Sequence, residues 1–133
     1  MSATKPAPRP TRDSEGFWAA CNAEHLTFQR CGDCGSAQNY PRSLCSACGG
    51  RELSEETASG LGTVFTFTVN HRGPTPAFAA DTPYVIALID LDEGPRLMMN
   101  VLGCDPADVH IDMRVRIGFE TRDGQKLPQA FPA

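Results

Sequence analysis

The second half of the chain consists of short segments with the apolar pattern of β-strands, separated by turn residues. Polar and apolar residues alternate over residues 63–69, which predicts a strand with Phe65, Phe67 and Val69 on one face. Residues 84–91 are nearly all apolar, as expected for a strand covered on both sides. The same signals predict three further strands: residues 97–102, residues 114–120, and a short strand near Lys126 and Leu127.

A single helical turn is predicted between the third and fourth of these strands. Asp105 suits the cap position, and Pro106 suits the first helical position, where a backbone N–H is not needed. Five short strands with a small helix between the third and fourth are the element order of an OB-fold barrel. We therefore predict a mainly β protein with a five-stranded OB-fold over residues 59–133.

Residues 13–30 predict a short helix followed by a strand that leads into the cysteine-rich segment. Ser14 is a candidate N-cap for a helix over residues 14–24. Phe17 and Trp18 are large apolar side chains on this short helix. We expect them to dock the helix on another surface, with a partner protein as one candidate.

Residues 1–12 combine prolines with small and charged residues. Such a composition cannot bury enough apolar area to offset the entropy of ordering, so a disordered tail is predicted. The segment lacks the apolar region of a signal peptide, and no run in the chain approaches the ~20 apolar residues that span a bilayer. We expect a cytoplasmic protein, whose thiols stay reduced.

Two Cys-x-x-Cys-Gly motifs lie in residues 31–58, a segment that is poor in apolar side chains. In Cys31–Cys34 and in Cys45–Cys48, a tight turn followed by glycine lets backbone N–H groups face the sulfurs. Two such motifs form a closed site of four thiolates, with no open position at which the metal could activate water. The spacing predicts a zinc ribbon with one structural zinc. Iron of the rubredoxin type is an alternative metal, and redox dithiols or disulfides are the alternative to a metal.

Other side chains are candidates for binding rather than catalysis. His71 and Arg72 open the longest loop of the predicted barrel, which also contains Phe78. A loop at the mouth of a barrel suits a ligand or a partner, although His71 can also simply end a strand. Cys21 and Cys104 have no basic neighbour and are interpreted as small buried hydrophobes. The sequence contains neither a G-x-S-x-G nucleophile motif nor a G-x-x-x-x-G-K phosphate loop.

The charge balance argues against a nucleic-acid partner. The chain has 12 Lys and Arg against 16 Asp and Glu, a net charge of -4. Proteins that bind nucleic acids usually carry a basic surface, because phosphate neutralisation supplies much of their affinity.

In its order of helix, double cysteine motif and β-barrel, the chain resembles the rubredoxin-like zinc-ribbon plus OB-fold proteins known as domain of unknown function thirty-five. The resemblance begins at about Phe17 and extends to the C-terminus. The stretches that carry it are FWAACNAEHLTFQRCGDCG, CSACGG, GTVFTFTVNHRGPTPAF, PYVIALIDLDEGPRLMMNVLG, DPADVHIDMRVRIGFE and the closing LPQAFPA.

This resemblance implies a non-catalytic accessory subunit of a thiolase-superfamily enzyme, in a thiolase, steroid side-chain aldolase or acyltransferase complex. Such a subunit docks on an enzyme dimer and helps to form the acyl-CoA site, while the partner cleaves or forms the C–C bond. The metal ligands that the family implies are Cys31, Cys34, Cys45 and Cys48. The loop from His71 to Phe78 is expected to face acyl-CoA or the partner. The alternatives are partnership with a hot-dog-fold acyl-CoA hydratase, a nucleic-acid-binding module, and an independent acyl-CoA-binding protein.

Overall fold

The computed structural model describes residues 4–133, so the first three residues of the predicted tail lie outside the described residues. The predicted mainly β fold with a short N-terminal helix is confirmed. In chain order, the elements are α1 (Glu15–Asn22), β1 (Thr27–Cys31), β2 (Ala37–Gln38), β3 (Leu53–Thr57), β4 (Leu61–Asn70), α2 (Pro76–Ala79), β5 (Tyr84–Leu91), β6 (Arg96–Val101), a 3-10 turn (Pro106–Asp108), β7 (Arg114–Arg122) and β8 (Gln125–Pro132).

The ribbon is a three-stranded antiparallel sheet in the order β2-β1-β3. Its central strand β1 ends at Cys31, which places the first cysteine motif at the end of the sheet. Strand β3 is largely exposed, since it consists mostly of polar residues. Phe28 is buried, but the sheet has few other buried apolar side chains, so it has little apolar core of its own.

Strands β4 to β8 form a closed barrel in the order β4-β5-β6-β8-β7, as predicted for an OB-fold. Strands β6 and β8 are parallel and pair only at Val101 and Ala130, whereas the other neighbours are antiparallel. Alternate residues of the strands fill the interior, as expected from the two-residue period of a strand. The largest fully buried aliphatic side chains in the barrel are Val64, Val85, Ile89 and Val115.

A β-bulge in β4 changes the face that the sequence predicted. The pairing with β5 shifts between Val64 and Thr66, so the simple alternation is interrupted at this point. Val64 is fully buried, while Phe65 is 46% exposed and lies beneath the guanidinium of Arg96, with 3.5 Å between its ring centroid and Arg96 Cζ. The prediction that Phe65 shares the face of Phe67 and Val69 is therefore wrong.

Strand β5 is covered more fully on one face than on the other. Its alternate residues Val85, Ala87, Ile89 and Leu91 are buried in the barrel, and the residues between them are half-buried. We predicted that both faces of this strand are covered. The inner face is buried, but the outer face is partly open to solvent.

Helix α1 packs on strand β8 of the same chain. The Lys126 backbone N–H donates to Asn22 Oδ1 at 2.9 Å, and Gln125 Nε2 donates to the Trp18 carbonyl at 3.1 Å. Ser14 occupies the predicted N-cap position, but its hydroxyl accepts from the Thr11 N–H at 2.8 Å instead of capping the helix. The helix thus links the start of the ribbon to the end of the barrel.

The predicted single turn before β7 is confirmed. Asp105 Oδ1 accepts from the Ala107 N–H at 2.9 Å, and Pro106 occupies the first position of the turn. The last strand is longer than predicted, because β8 pairs with β7 along most of its length. Among residues 4–133, no helix is long and apolar enough to cross a membrane.

Candidate metal centre and apolar groove

The two cysteine motifs bring four sulfur atoms to one point. Cys31 and Cys48 are separated by 3.6 Å between their Sγ atoms, and so are Cys34 and Cys45. All four sulfurs lie within 4.8 Å of one another. Four zinc–sulfur bonds of about 2.3 Å in a tetrahedron place the sulfurs roughly 3.8 Å apart, so the arrangement fits a tetrahedral metal ion.

Equivalent backbone turns present the two pairs of cysteines. The Gly35 N–H donates to the Cys31 carbonyl, and the Gly49 N–H donates to the Cys45 carbonyl, each at 2.9 Å. The φ angles of Gly35 and Gly49 are +79° and +76°, a region that glycine enters without steric cost. This requirement explains why each Cys-x-x-Cys pair is followed by glycine.

Polar groups around the sulfurs change the pKa values of two of the thiols, and they do so in opposite directions. The Ala47 N–H lies 3.4 Å from Cys45 Sγ, and the Gly50 N–H lies 3.3 Å from Cys48 Sγ. A hydrogen bond between Cys34 and the Ser36 hydroxyl lowers the pKa of the Cys34 thiol to about 6. At Cys48 the Gly50 N–H lowers the pKa, but the hydrogen bonds with Cys34 and Cys31 raise it, and the thiol has a pKa of about 12. With four cysteines at the corners, the site has no position left for a reacting water.

The ribbon contacts the barrel through the hairpin between the two motifs. The Met98 backbone N–H in β6 donates to the Tyr40 hydroxyl oxygen at 2.9 Å. Asn39, which is buried, donates from Nδ2 to the Thr27 carbonyl at 3.2 Å and fixes the hairpin to β1. The ribbon with its four cysteines is thereby held over strand β6.

A groove of about 830 Å³ lies where the ribbon, helix α1 and the barrel meet. Most of its surface is apolar. The side chains that define its walls come from six separate segments: Trp18, Tyr40, Phe78, Ile86, Met98 and Leu127.

The polar end of the groove is a connected hydrogen-bond network. Buried Gln129 accepts from the Asn100 N–H at 2.7 Å and donates to Glu120 Oε1 at 3.0 Å. Glu120 is also paired with Arg122 at 2.7 Å. Burial opposes ionisation of Glu120, but the hydrogen bonds from Arg122 and Gln129 hold its pKa below the ordinary value. The carboxylate is therefore charged and already paired.

Cys104 also lines the groove, and it is half-buried. Burial, together with the negative charges of Asp108 and Asp105, raises the pKa of its thiol. A protonated thiol is a poor nucleophile, which agrees with the interpretation of Cys104 as structural. Cys21 is fully buried, and burial raises its pKa to about 12.

Only some of the other predicted site residues lie in the groove. Phe78 and Trp18 are part of its wall, whereas His71 and Arg72 are exposed and do not line it. Phe17 also reaches the groove, but its ring is 8% exposed and packs in the core of the chain, edge-on to Trp18 with 5.0 Å between ring centroids. The helix therefore packs on the barrel of its own chain. A contact between Trp18 and a partner protein stays a prediction.

The loop after β4 places Phe78 at the groove through a close backbone approach. A Cβ atom at Gly73 would lie 2.8 Å from the Ala79 nitrogen and 2.9 Å from its Cα. Only glycine permits this approach, which folds the start of the loop against helix α2. Met98 and Gln129, by contrast, carried no signal in the sequence, since their contacts come from distant segments.

Two family models match consecutive parts of the chain. The model of the ChsH2 rubredoxin-like zinc ribbon domain matches residues 18–54, and that of the ChsH2 C-terminal OB-fold domain matches residues 55–120. The solved structure described as the Ltp2-ChsH2(DUF35) aldolase has a chain with a TM-score of 0.84 and 34% sequence identity, covering 95% of this chain and 98% of that one. The chain belongs to the DUF35 family.

Curated relatives of this DUF35 chain carry names of two kinds. A probable enoyl-CoA hydratase alpha subunit of Thermomonospora curvata is 35% identical over 132 residues, which is 98% of this chain but 41% of the relative. A DUF35 domain-containing scaffold protein of Methanocaldococcus jannaschii is 40% identical over 91 residues, which is 68% of this chain and 64% of the relative. The DUF35 chain thus spans less than two thirds of either relative.

Proposed function

We propose that this DUF35 chain is a non-catalytic accessory subunit that docks on a thiolase-like enzyme and helps to form its acyl-CoA site. The partner would cleave or form the C–C bond. The observation that carries the proposal is the open apolar groove between ribbon and barrel, whose charged side chains are paired with one another. The aldolase structure and the scaffold relative support the same role.

The groove has the chemistry of a binding surface. Its charged side chains form the pairs Glu120–Arg122 and Lys5–Asp81. The described residues that line it include no histidine, and the thiol of Cys104 is held in its protonated form. A general base or an activated nucleophile needs a free, suitably tuned group, so this lining favours binding over catalysis.

The size and polarity of the groove suit the acyl part of a thioester. Its volume of about 830 Å³ falls within the roughly 300–1,000 Å³ of small-molecule sites. Apolar walls stabilise an acyl chain by removing its surface from water. The amides of Asn100 and Gln129 at the polar end are hydrogen-bonded to each other, to Val85 and to Glu120, so the groove favours the apolar acyl chain over polar parts of the ligand. Because one side is open, a docked partner would complete the enclosure.

The metal that we propose is a single structural zinc bound by Cys31, Cys34, Cys45 and Cys48. Four thiolates in a closed tetrahedral set are typical of structural zinc sites. Iron fits the same ligands, so metal analysis of the purified protein decides between the two. Zinc would hold the hairpin that carries Tyr40 against the groove.

A nucleic-acid-binding function is disfavoured by ion pairs on the outer face of the barrel. Arg96 is paired with Asp90 at 2.6 Å, and Arg114 is paired with Asp92 at 2.7 Å. These carboxylates neutralise the cations that would otherwise contact phosphates. The exposed ring of Phe65 is covered by Arg96 and is not free to stack on a base.

A hydratase partner is the second candidate. The similarity to a probable enoyl-CoA hydratase alpha subunit extends over 98% of this chain. Since the chain spans only 41% of that relative, we propose the hydratase activity for a partner and not for this chain. The shared element of both candidates is an acyl-CoA thioester.

Co-purification tests the proposal directly. The tagged chain is expressed together with the proteins encoded by its neighbouring genes, and we expect it to retain a thiolase-like chain. Retention of a hydratase-like chain alone would replace the leading candidate by the second one. Retention of neither would reject the accessory role.

Two matched variants test whether the groove side of the chain forms the interface. Met98 is 61% exposed at the groove, and Ile111 is 57% exposed outside it. A buried charge at an interface is costly, so we expect Met98→Glu to weaken the complex roughly tenfold or more. Ile111→Glu should leave it unchanged. Equal behaviour of the two variants would place the interface elsewhere.

A further inference from the structure

The described part of the N-terminal segment, residues 4–12, has one end fixed at the start of helix α1. The Thr11 carbonyl accepts from the N–H groups of Ser14 and Glu15 at 3.1 and 2.9 Å. The Thr11 N–H donates in turn to the Ser14 hydroxyl at 2.8 Å. Ser14 itself lines the groove, so this anchor lies at the groove wall.

The other end of the segment is held by Lys5, which also lines the groove. Lys5 Nζ is 2.5 Å from Asp81 Oδ2, and it lies 5.9 Å from the ring centroid of Phe78. Asp81 and Phe78 belong to the loop that closes the end of the groove. Lys5 therefore connects the N-terminal segment to this loop.

Prolines stiffen the residues between the two anchors. Pro6, Pro8 and Pro10 each fix φ near -65° and favour an extended polyproline conformation. Ala7 and Pro8 are half-buried, which shows that the segment packs on the body of the protein. A stiff segment loses less conformational entropy when both of its ends are held.

We propose that residues 4–12 form a strap that narrows the groove in the free chain and is released when the groove is filled. The lock is the contact of Lys5 with Asp81 and Phe78. Side chains of Lys5 and Asp81 are 30% and 41% exposed, so the ion pair is weak and a ligand or partner can displace it. The relevance of the strap to an acyl chain rests on the proposed function, but the strap itself is testable on the isolated chain.

Backbone dynamics provide the first test. We expect the amide order parameters of Lys5 and Ala7, from ¹⁵N relaxation of the whole chain, to be close to the value of about 0.85 that is typical of a rigid backbone. In Asp81→Asn they should fall toward those of a flexible terminus. Values below about 0.6 in the wild-type chain would overturn the strap and support the disordered tail that composition predicts.

Binding of Nile red, an uncharged apolar dye, provides the second test. Removing the lock in Lys5→Ala should raise the affinity of the dye by roughly twofold to fivefold, as expected for loss of one exposed ion pair. The matched control is Lys126→Ala, whose ammonium pairs with Glu24 at 2.8 Å and does not line the groove. The control should bind the dye like the wild type.

The combination of results decides the proposal. An unchanged dye affinity in Lys5→Ala, or an equal increase in Lys126→Ala, would overturn it. Neither measurement involves an enzyme partner, so failure of the strap is distinguishable from failure of the accessory role.

Discussion

The ribbon and the barrel of this chain contain similar β-sheet hydrogen bonding but differ in what fills their centres. The barrel encloses a set of buried aliphatic side chains drawn from all its strands. The ribbon has an exposed outer strand, and the four cysteine sulfurs lie at one end of its sheet. Hydrophobic burial stabilises the first, whereas metal–thiolate bonds can stabilise a segment too polar to fold by burial. One short chain thus combines two sources of stability, and each can be removed separately.

The largest expected effect is on the ribbon after loss of its metal. Apparent binding free energies of structural zinc are about 10–16 kcal/mol, so Cys45→Ser or a strong chelator should unfold the ribbon. The barrel should keep its strands, because its core does not include the sulfurs of the site. Two-dimensional NMR of the chain would show loss of the dispersed ribbon signals alone.

The control for this experiment is Cys104→Ser, which removes a thiol outside the four-sulfur cluster. It should leave the metal content and the ribbon signals unchanged. Simultaneous loss of the barrel signals in Cys45→Ser would show that the two units are not separately stabilised.

A cavity in the barrel is expected to have the next largest effect. Ile89 is fully buried, and truncation to alanine should lower the free energy of unfolding of the barrel by about 2–5 kcal/mol. Urea unfolding followed by circular dichroism measures this loss. Exposed Ile111 provides the control, since Ile111→Ala should change stability by less than about 0.5 kcal/mol. Metal content should be the same in both variants; release of the metal by Ile89→Ala would contradict the separation of the two units.

The smallest expected effect concerns the contact between the units. Tyr40→Phe removes the acceptor of the Met98 N–H and should cost about 0.5–1.5 kcal/mol. Hydrogen exchange at the Met98 amide should become faster. Tyr84→Phe, which loses a hydroxyl that accepts from Asn70 within the barrel, should not affect that amide. Unchanged exchange in Tyr40→Phe would mean that the hairpin does not fix the ribbon on β6.

Local patterns predicted the metal centre better than the groove. A Cys-x-x-Cys-Gly motif specifies its own turn, so the sequence alone identified the four cysteines that cluster and the glycines that follow them. The groove is assembled from side chains such as Trp18, Met98 and Leu127, which are far apart along the chain. The local sequence does not predict the hydrogen bond between Tyr40 and β6, because that contact depends on how the ribbon packs on the barrel.

The same distinction explains what the local sequence could not show about the fold. Alternation over residues 63–69 predicted the strand correctly but could not predict the bulge, which depends on pairing with β5. The disordered tail that composition predicts stays a prediction, and the contacts of Lys5 come from the distant loop that contains Asp81. His71 and Arg72 were candidates because of their position at the start of this loop, yet the loop turns Phe78 and not these two residues toward the groove.

The close approach at Gly73 limits how this loop can diverge during evolution. A residue with a side chain at position 73 would collide with the backbone of Ala79 and displace the tip of the loop that carries Phe78. His71 and Arg72 are exposed and can change without disturbing the neighbouring backbone. Relatives that keep the length of the loop should therefore vary freely at positions 71 and 72 but retain glycine at 73. A relative that has lost this glycine should differ in the shape of its groove, and with it in the acyl groups that we propose the groove binds.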